Sequence, residues 1–406
     1  MLEALSSFAD IYYGKSPAGV VVEEGDVPVY GTGGVYGKAS KSLFSGPAVI
    51  IPRKGSLSRP HFSEGPFWAS DTTYAAIPKR DVDAQWLYYQ LCQFDLESLN
   101  EATGVPSISR DWLAKSSLLL QDMESQTTIV RVLRGIDSQI EATEALIAKQ
   151  ERVRAGLMQD LFTRGVDEHG QLRRPREEVP DLYHQTELGW LPKGWEVSVL
   201  KDKGPTNGGH LKTGPFGSSL KIEHWVARGR PVITIGSLGE GILEHEELLY
   251  VSEETATRLE AYQLAPGDVV FSRVADVGRS VVIEPENSGW IMSSNLMRIR
   301  LNATRVNPRY LYLQLAFDVV LRAQIRRSIN TGGRDVANAA VLNSLKFAWP
   351  SPDEQGQFIE VAGKIASQIR SSKEEFLKLR LQKSGLMQDL LTGKISVAPL
   401  LESAAA

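Results

Sequence analysis

The chain has 406 residues, of which 42% are hydrophobic and 23% charged, a length for two or three domains and a composition typical of soluble folded protein. No apolar run approaches the roughly 20 residues that span a bilayer, and the opening "MLEALSSFADIYYGK" lacks a basic n-region and a small-residue cleavage site, so a cytoplasmic location without membrane contact is expected. The single cysteine, Cys92, excludes an internal disulfide, the six histidines show no metal-ligand spacing, and a net charge of −4 argues against a protein that coats nucleic acid while leaving room for a local basic face.

Residues 1–120 are rich in Gly, Pro and β-branched runs and predict a first globule. Within it "PAVIIP" (Pro47–Pro52) reads as a strand between turn signals and "DAQWLYYQLCQF" as a short helix. Residues 121–164 predict one long helix, opened by the cap-like "QDMESQ". Its steps of four and three run through Ile129, Leu133, Ile136, Ile140, Thr143, Ile147, Gln150, Arg154, Leu157 and Leu161, a 3.5-residue period that keeps one stripe facing a partner helix. Residues 165–186 are charged, Pro-bearing and non-periodic, and read as a connector. A second globule follows over 187–350, with "GDVVFSR" (Gly267–Arg273) as a strand and "NPRY" (Asn307–Tyr310) as a helix start. Residues 351–394 predict a second long helix after "PSPDEQ", with Gly393 as C-cap and 395–406 as a tail. Its seam runs through Phe358, Ala362, Ile365, Ile369, Ser372, Phe376, Leu379, Lys383, Leu386 and Leu390.

The two helices are copies of each other. At an offset of 229 positions, Gln126, Ile136, Ser138, Gln139 and Ile140 match Gln355, Ile365, Ser367, Gln368 and Ile369, and "GLMQDL" from Gly156 recurs from Gly385. Both copies place polar residues at the same seam positions, Thr143/Ser372 and Arg154/Lys383, a device that fixes register. Gly156 and Gly385 would permit close approach at a helix crossing or a partner surface. The globules share weaker signals: "LYYQL" from Leu87 recurs as "LYLQL" from Leu311, and Thr103-Gly104 as Thr331-Gly332. Chain order is globule, helix, globule, helix, so paired helices must be antiparallel. The expected fold is α+β and pseudo-two-fold, two globules joined by a coiled coil roughly 60 Å long.

Catalytic motifs are not found. "GTGGVYGKAS" fails the phosphate-loop spacing, and Ala39 follows Lys38 where Ser or Thr belongs. "NPRY" lacks the second Pro of the Asn-Pro-Pro-Tyr of amino-methyltransferases and no Gly-rich cofactor loop precedes it. No nucleophile stands beside a base in a recognisable pattern. What remains is basic and polar residues next to glycine turns: Lys15, Thr32, Lys38, Arg53, Lys54, Ser56 and Arg59 in the first globule, and Lys212, Ser218, Ser219, Lys221, Arg273, Arg279 and Arg334 in the second. Such residues supply donors to phosphates and, from Arg, bidentate donors to guanine, so this set is the expected DNA-binding surface. Tyr12, Tyr13 and Trp68 are candidate base contacts that also suit a core.

The chain resembles specificity subunits of Type I restriction-modification systems. The resemblance rests on the two helices ending in "GLMQDL", on "TELGWLPKGWEV" (Thr186–Val197), "TGPFGSSLK" (Thr213–Lys221), "GDVVFSRVADVGR" (Gly267–Arg279) and "PSPDEQ", and on "YYGKSP", "GDVPVYGTGG" and "VIIPRKGS" in the first globule. The first globule departs from the second in lacking a "GWLPKGWEV" lead-in. The resemblance implies two target recognition domains, each reading one half of a split, asymmetric site in double-stranded DNA. It implies helices that set the spacer and dock two modification subunits, which use S-adenosylmethionine to methylate adenine. Restriction subunits that use ATP and Mg would join them, and this chain would bind no cofactor and catalyse nothing. A bivalent protein scaffold without DNA reading is the alternative from another class.

Overall fold

The computed structural model describes residues 2–57, 59–217, 219–246, 248–329 and 336–398. The chain divides into two compact units, one of residues 1–146 with 372–406 and one of residues 147–371.

The first unit contains β1 (Leu2–Ala4), the single turn α1 (Leu5–Phe8), β2 (Ala9–Tyr13), β3 (Val21–Val22), β4 (Val27–Gly31), β5 (Gly34–Ala39), β6 (Ala48–Pro52), β7 (His61–Ser63), β8 (Trp68–Ala69), β9 (Thr73–Pro78), α2 (Ala84–Gln93), α3 (Arg110–Lys115), β10 (Ser117–Leu119) and the start of α4 (Met123–Arg164). An antiparallel sheet has the order β2-β9-β6-β7, and a second sheet, β3-β5-β4-β8, includes the parallel pair β4 and β8. The unbroken apolar run of β6 follows from burial on both faces. Val49 and Ile51 join Trp86 and Leu87 of α2 and Ile129 and Leu133 of α4, while Ala48 and Ile50 cluster with Phe67, Ala69 and Ala75. Asp83 caps α2, its carboxylate accepting from the Gln85 and Trp86 amides.

The second unit repeats this plan. Its elements are β11 (Tyr183–Thr186), β12 (Gly189–Pro192), β13 (Glu196–Ser198), β14 (Leu211–Thr213), β15 (Trp225–Val226), β16 (Arg230–Ile233), β17 (Leu249–Val251), α5 (Glu253–Arg258), β18 (Val269–Ser272), β19 (Ser280–Val282), β20 (Ile291–Met292), β21 (Leu296–Ile299), α6 (Pro308–Phe317), α7 (Val319–Ile329), α8 (Ala339–Ser344), β22 (Phe347–Trp349) and the start of α9 (Pro352–Leu391). The sheets have orders β14-β21-β18-β19 and β15-β17-β16-β20, the latter with β16 and β20 parallel. Strand for strand these match the first unit, and β13 with β22 matches β1 with β10. β1 thus corresponds to β13, the strand that follows the β11–β12 hairpin in the second unit.

The long helices are α4, with 42 residues, and α9, with 40. Asp122 and Ser351 cap them, accepting from the Ser125 and Glu354 amides at 2.7 and 3.3 Å, and Gly393, at φ 68°, follows the end of α9. In the first unit the N-terminal part of α4 packs with the C-terminal part of α9: Ile129 and Leu133 share a core with Met387, Leu390 and Leu391. In the second unit the C-terminal part of α4 meets the N-terminal part of α9, with the Phe162 and Phe358 rings 4.8 Å apart. The pairing is antiparallel in both. Of the seam residues, Ile129, Leu133, Ile136, Leu161, Phe358, Ile365, Ile369, Leu379 and Leu390 are buried, and Ile140, Ile147, Leu157, Phe376 and Leu386 half-buried.

The matched glutamines have the same task in each unit. The Asp83 amide donates to Gln126 Oε1 and the Asn307 amide to Gln355 Oε1, both at 2.8 Å. The side-chain amides donate to the Gln121 and Pro350 carbonyls, five residues upstream in each case. Each buried glutamine thus ties a long helix to the cap of the short helix in its own globule.

Four expectations are corrected. The connector is structured: Arg173 makes a two-pronged ion pair with Glu354, and Tyr183–Thr186 is a strand. Val397, assigned to the tail, is buried in the first unit's core. Arg154 leaves the seam to pair with Glu240 at 2.7 Å and lie over the Phe317 ring, whereas Lys383 pairs across the helices with Asp137 at 2.5 Å. A Cβ on Gly156 or Gly385 would meet nothing within 4 Å, so a helix crossing among the described residues does not require these glycines, and a partner surface is the part of that expectation that stays open.

Candidate nucleic-acid interface

In the first unit one edge gathers the loops after β2, between β4 and β5, after β6, between β8 and β9, and before α3. Backbone hydrogen bonds join them: Gly14 N to Thr73 O, Lys15 N to Ala69 O, Ser70 N to Tyr30 O, Arg53 N to Thr72 O, Gly55 N to Pro106 O and Ile108 N to Arg53 O. Gly14 is required there, because a side chain would overlap the Ser70 carbonyl. The turn residues Gly31–Tyr36 and Ser70–Thr72 line a cleft of about 380 Å³.

Arg53 is the best-held cation of this edge. Its guanidinium lies 5.0 Å from the Tyr13 ring centre and 5.4 Å from that of Tyr74, and its Nη1 donates to the Asp71 carbonyl at 3.0 Å. Arg110 approaches the same Tyr13 ring at 5.4 Å. Tyr13 is 46% exposed between two cations, a mutual arrangement that orders all three side chains. Burial pushes the Tyr74 hydroxyl up to about 12, so it stays neutral and donates to the Ile108 carbonyl. Lys15, Lys54 and Ser56 are exposed on the same loops, and Thr32 offers its carbonyl to His61 Nε2.

Two predicted residues of this globule lie elsewhere. Lys38 stands opposite Pro28 and Val22 within β5, away from the Gly31–Gly34 turn. Arg59 lies where its charge acts on Tyr88 and Cys92 of α2. Trp68 is core, its indole donating to the Lys15 carbonyl at 2.8 Å. Arg110 has no signal in sequence: it follows Ser109, an ordinary helix cap, and only folding sets it against Tyr13.

The second unit rebuilds the same edge. Gly214 N donates to Leu296 O and Ser293 N to Ile233 O, and a side chain at Gly214 would overlap the Ser293 carbonyl as one at Gly14 overlaps Ser70. Arg273 takes the place of Arg53. Its amide donates to Asn295 O, its carbonyl accepts from Ala337 N, and the next residue, Val274, bridges to Val336 as Lys54 bridges to Ser107. Two residues on, Ala275 has φ 58° where the first unit has Gly55 at 86°. Arg279 lines a cleft of about 400 Å³ with Arg154, Glu240, Asp276, Tyr312 and Arg322. Lys212 sits within β14 against the Tyr262 ring at 5.0 Å, and Lys221 pairs with Glu223 at 3.5 Å. Ser219 closes a turn on Phe216. Ser218 and Arg334 lie outside the described residues.

Duplicated folds with matching polar loop edges, each carried on a long helix, agree with the family comparison. The model of the Type I restriction modification DNA specificity domain matches residues 4–152 and 192–375. The chain belongs to this family. Each matched segment of the specificity chain covers one globule and part of the long helix that follows it, which accounts for the internal repeat. It is 22% identical over 325 residues to the Type I restriction enzyme MjaVIII specificity subunit of Methanocaldococcus jannaschii, covering 79% of this chain and 72% of that one. It is likewise 22% identical to a putative type I restriction enzyme specificity subunit of Haemophilus influenzae, over 89% of this chain and 85% of the relative. The S subunit of a type I restriction-modification system from M. genitalium has the same fold, with a TM-score of 0.61 at 16% identity over 96% of each chain. Sequence-specific DNA recognition is thus the function of this specificity chain. Among its described residues no group of His, Cys, Asp or Glu side chains is placed to hold a metal, and no described helix is long and apolar enough to cross a membrane.

Proposed function

We propose that this chain is the non-catalytic, bipartite DNA-reading subunit of a type I complex in the cytoplasm. Each globule reads one half of a split, asymmetric site. Helices α4 and α9 set the spacing and dock two modification subunits, which methylate adenine with S-adenosylmethionine, and restriction subunits supply ATP- and Mg-dependent cleavage. The single observation that carries this reading is the repeated loop edge, with Gly14, Arg53 and Tyr13 in one globule and Gly214 and Arg273 in the other, in a chain matched twice by a DNA specificity domain. Lys15, Thr32, Lys54 and Ser56, with Arg53, are the DNA contacts of the first half-site, and Arg279 and Ser219, with Arg273, those of the second. Half-sites about one duplex turn, 34–36 Å, apart suit helices of roughly 60 Å.

The test is exchange of residues 1–120, or of 187–350, for the matching globule of a relative, followed by methylome sequencing of cells that also express the modification subunit. One half of the methylated motif should change and the other persist. A change in both halves, or methylation with no split motif, would overturn the reading.

A further inference from the structure

We infer that Arg53 and Arg273 are the counterpart base-reading arginines of the two globules, each directed at a guanine in its own half-site. The inference rests on the DNA-reading role proposed above and adds which residue reads, and what it reads.

The two residues hold one position in a duplicated fold. Each is the first residue beyond the second strand, in chain order, of its four-stranded antiparallel sheet, β6 or β18. Each is held on both sides of its backbone: the amide donates to a turn carbonyl, Thr72 or Asn295, and the carbonyl accepts from an extended segment, through Ile108 or Ala337. Each precedes by two a residue in the left-handed region, Gly55 or Ala275. An alanine at φ 58° is unfavourable for an L-residue, so the loop shape persists in the second globule even without glycine. The same side chain is thus delivered from the same backbone in both globules, although the flanking residues "IPRKG" and "FSRVA" share only the arginine.

The side chains also share a feature that decides how they face. The Nε of Arg53 and the Nε of Arg273 are both buried with no hydrogen-bond partner among the described residues. With Nε buried, a ligand can reach the guanidinium only through its Nη end. For Arg53 that end is further fixed by the Tyr13 and Tyr74 rings and by the Asp71 carbonyl, which occupies one Nη1 proton and leaves one on Nη1 and two on Nη2. Two parallel N–H groups on a pre-oriented plane match the O6 and N7 acceptors of guanine in the major groove. An immobilised fork also loses little rotamer entropy on binding. Lys15 and Lys54, exposed on flexible stems beside it, suit phosphates, which need charge but no fixed geometry.

The experiment uses the complex of the full chain with its modification subunit, carrying wild-type chain, Arg53→Ala, Arg53→Lys, Arg273→Ala or Arg273→Lys. The wild-type motif is first read by methylome sequencing. Methylation rates are then measured on duplexes altered one base pair at a time across both halves, with thermal melting of each variant alongside. For Arg53→Ala we expect discrimination to fall roughly 5- to 150-fold at one G·C pair of one half-site and to be unchanged across the other half. Arg273→Ala should do the same in the opposite half. Lysine keeps the charge and the backbone tethers but lacks the fork, so each lysine variant should fold and yet fail to restore that discrimination. Lysine rescue, a loss spread evenly over all positions, relaxation at an A·T pair, or unchanged discrimination would each overturn the inference. A wild-type complex that methylates no split motif would instead overturn the DNA-reading proposal itself.

Discussion

Gly14 and Gly214 stand at the point where each globule's two sheets meet. Their amides reach the Thr73 and Leu296 carbonyls while their Cα atoms face the Ser70 and Ser293 carbonyls, and no room is left for a methyl group against backbone that cannot swing away. Gly14→Ala and Gly214→Ala should each cost about 1–3 kcal/mol, the range for overpacking a tight site, read as a lower denaturant midpoint. A neutral result at either would show that the strands can part at that point. Both glycines stand in stretches that carry the family resemblance, "YYGKSP" and "TGPFGSSLK", but the close approach that requires them is set by residues far away in the chain. Arg53 and Arg273 illustrate the converse. Each was singled out as a cation near a turn, yet their equivalence needs strand register, because "IPRKG" and "FSRVA" share only the arginine.

At the scale of elements, the long helices carry exposed Gly156 and Gly385 in mid-helix, where glycine is unfavourable. Gly156→Ala and Gly385→Ala should each stabilise the chain by about 0.8–1.0 kcal/mol, measured by chemical denaturation. Loss of stability in either variant would mean that the helix is bent or packed at that point. Asp318, between α6 and α7, offers a second test. Its Oδ1 accepts from the Val320 and Leu321 amides and caps α7, while burial raises its pKa above the ordinary carboxylate value. A raised folded-state pKa means that the folded state binds more protons between the unfolded and folded values, so stability falls as pH rises through that window and stays lower above it. Asp318→Asn keeps the cap without the charge. It should therefore be more stable than wild type at neutral pH, with the difference vanishing in acid. A pH-independent difference would sink this account.

For the whole chain, a net charge of −4 gives no general attraction for a polyanion, and cations such as Arg154, Lys203 and Arg300 are already engaged with Glu240, Glu196 and Asp268. The isolated chain should therefore bind duplex DNA weakly at physiological salt and tightly once its modification subunits are present. Fluorescence anisotropy on labelled duplex over a salt series would measure both. Tight, sequence-specific binding by the chain alone would show that its loop edges suffice.

The sequence by itself determined the order of globules and helices, the two long helices and the antiparallel sense of their pairing. These depend on local periodicity and on a repeat, both written along the chain: the 3.5-residue stripe, the caps at Asp122 and Ser351, and the matched Gln126 and Gln355. Tertiary structure alone decided which cations share an edge. Lys38 and Arg59 carry the same charge as Lys15 and Arg53, but Lys38 sits within β5 opposite Pro28, and Arg59 lies where its charge acts on Tyr88 and Cys92 of α2. Arg110, distant in sequence from Tyr13, is brought against its ring. Side-chain placement at a loop edge depends on contacts between segments far apart in the chain, and no local pattern records them.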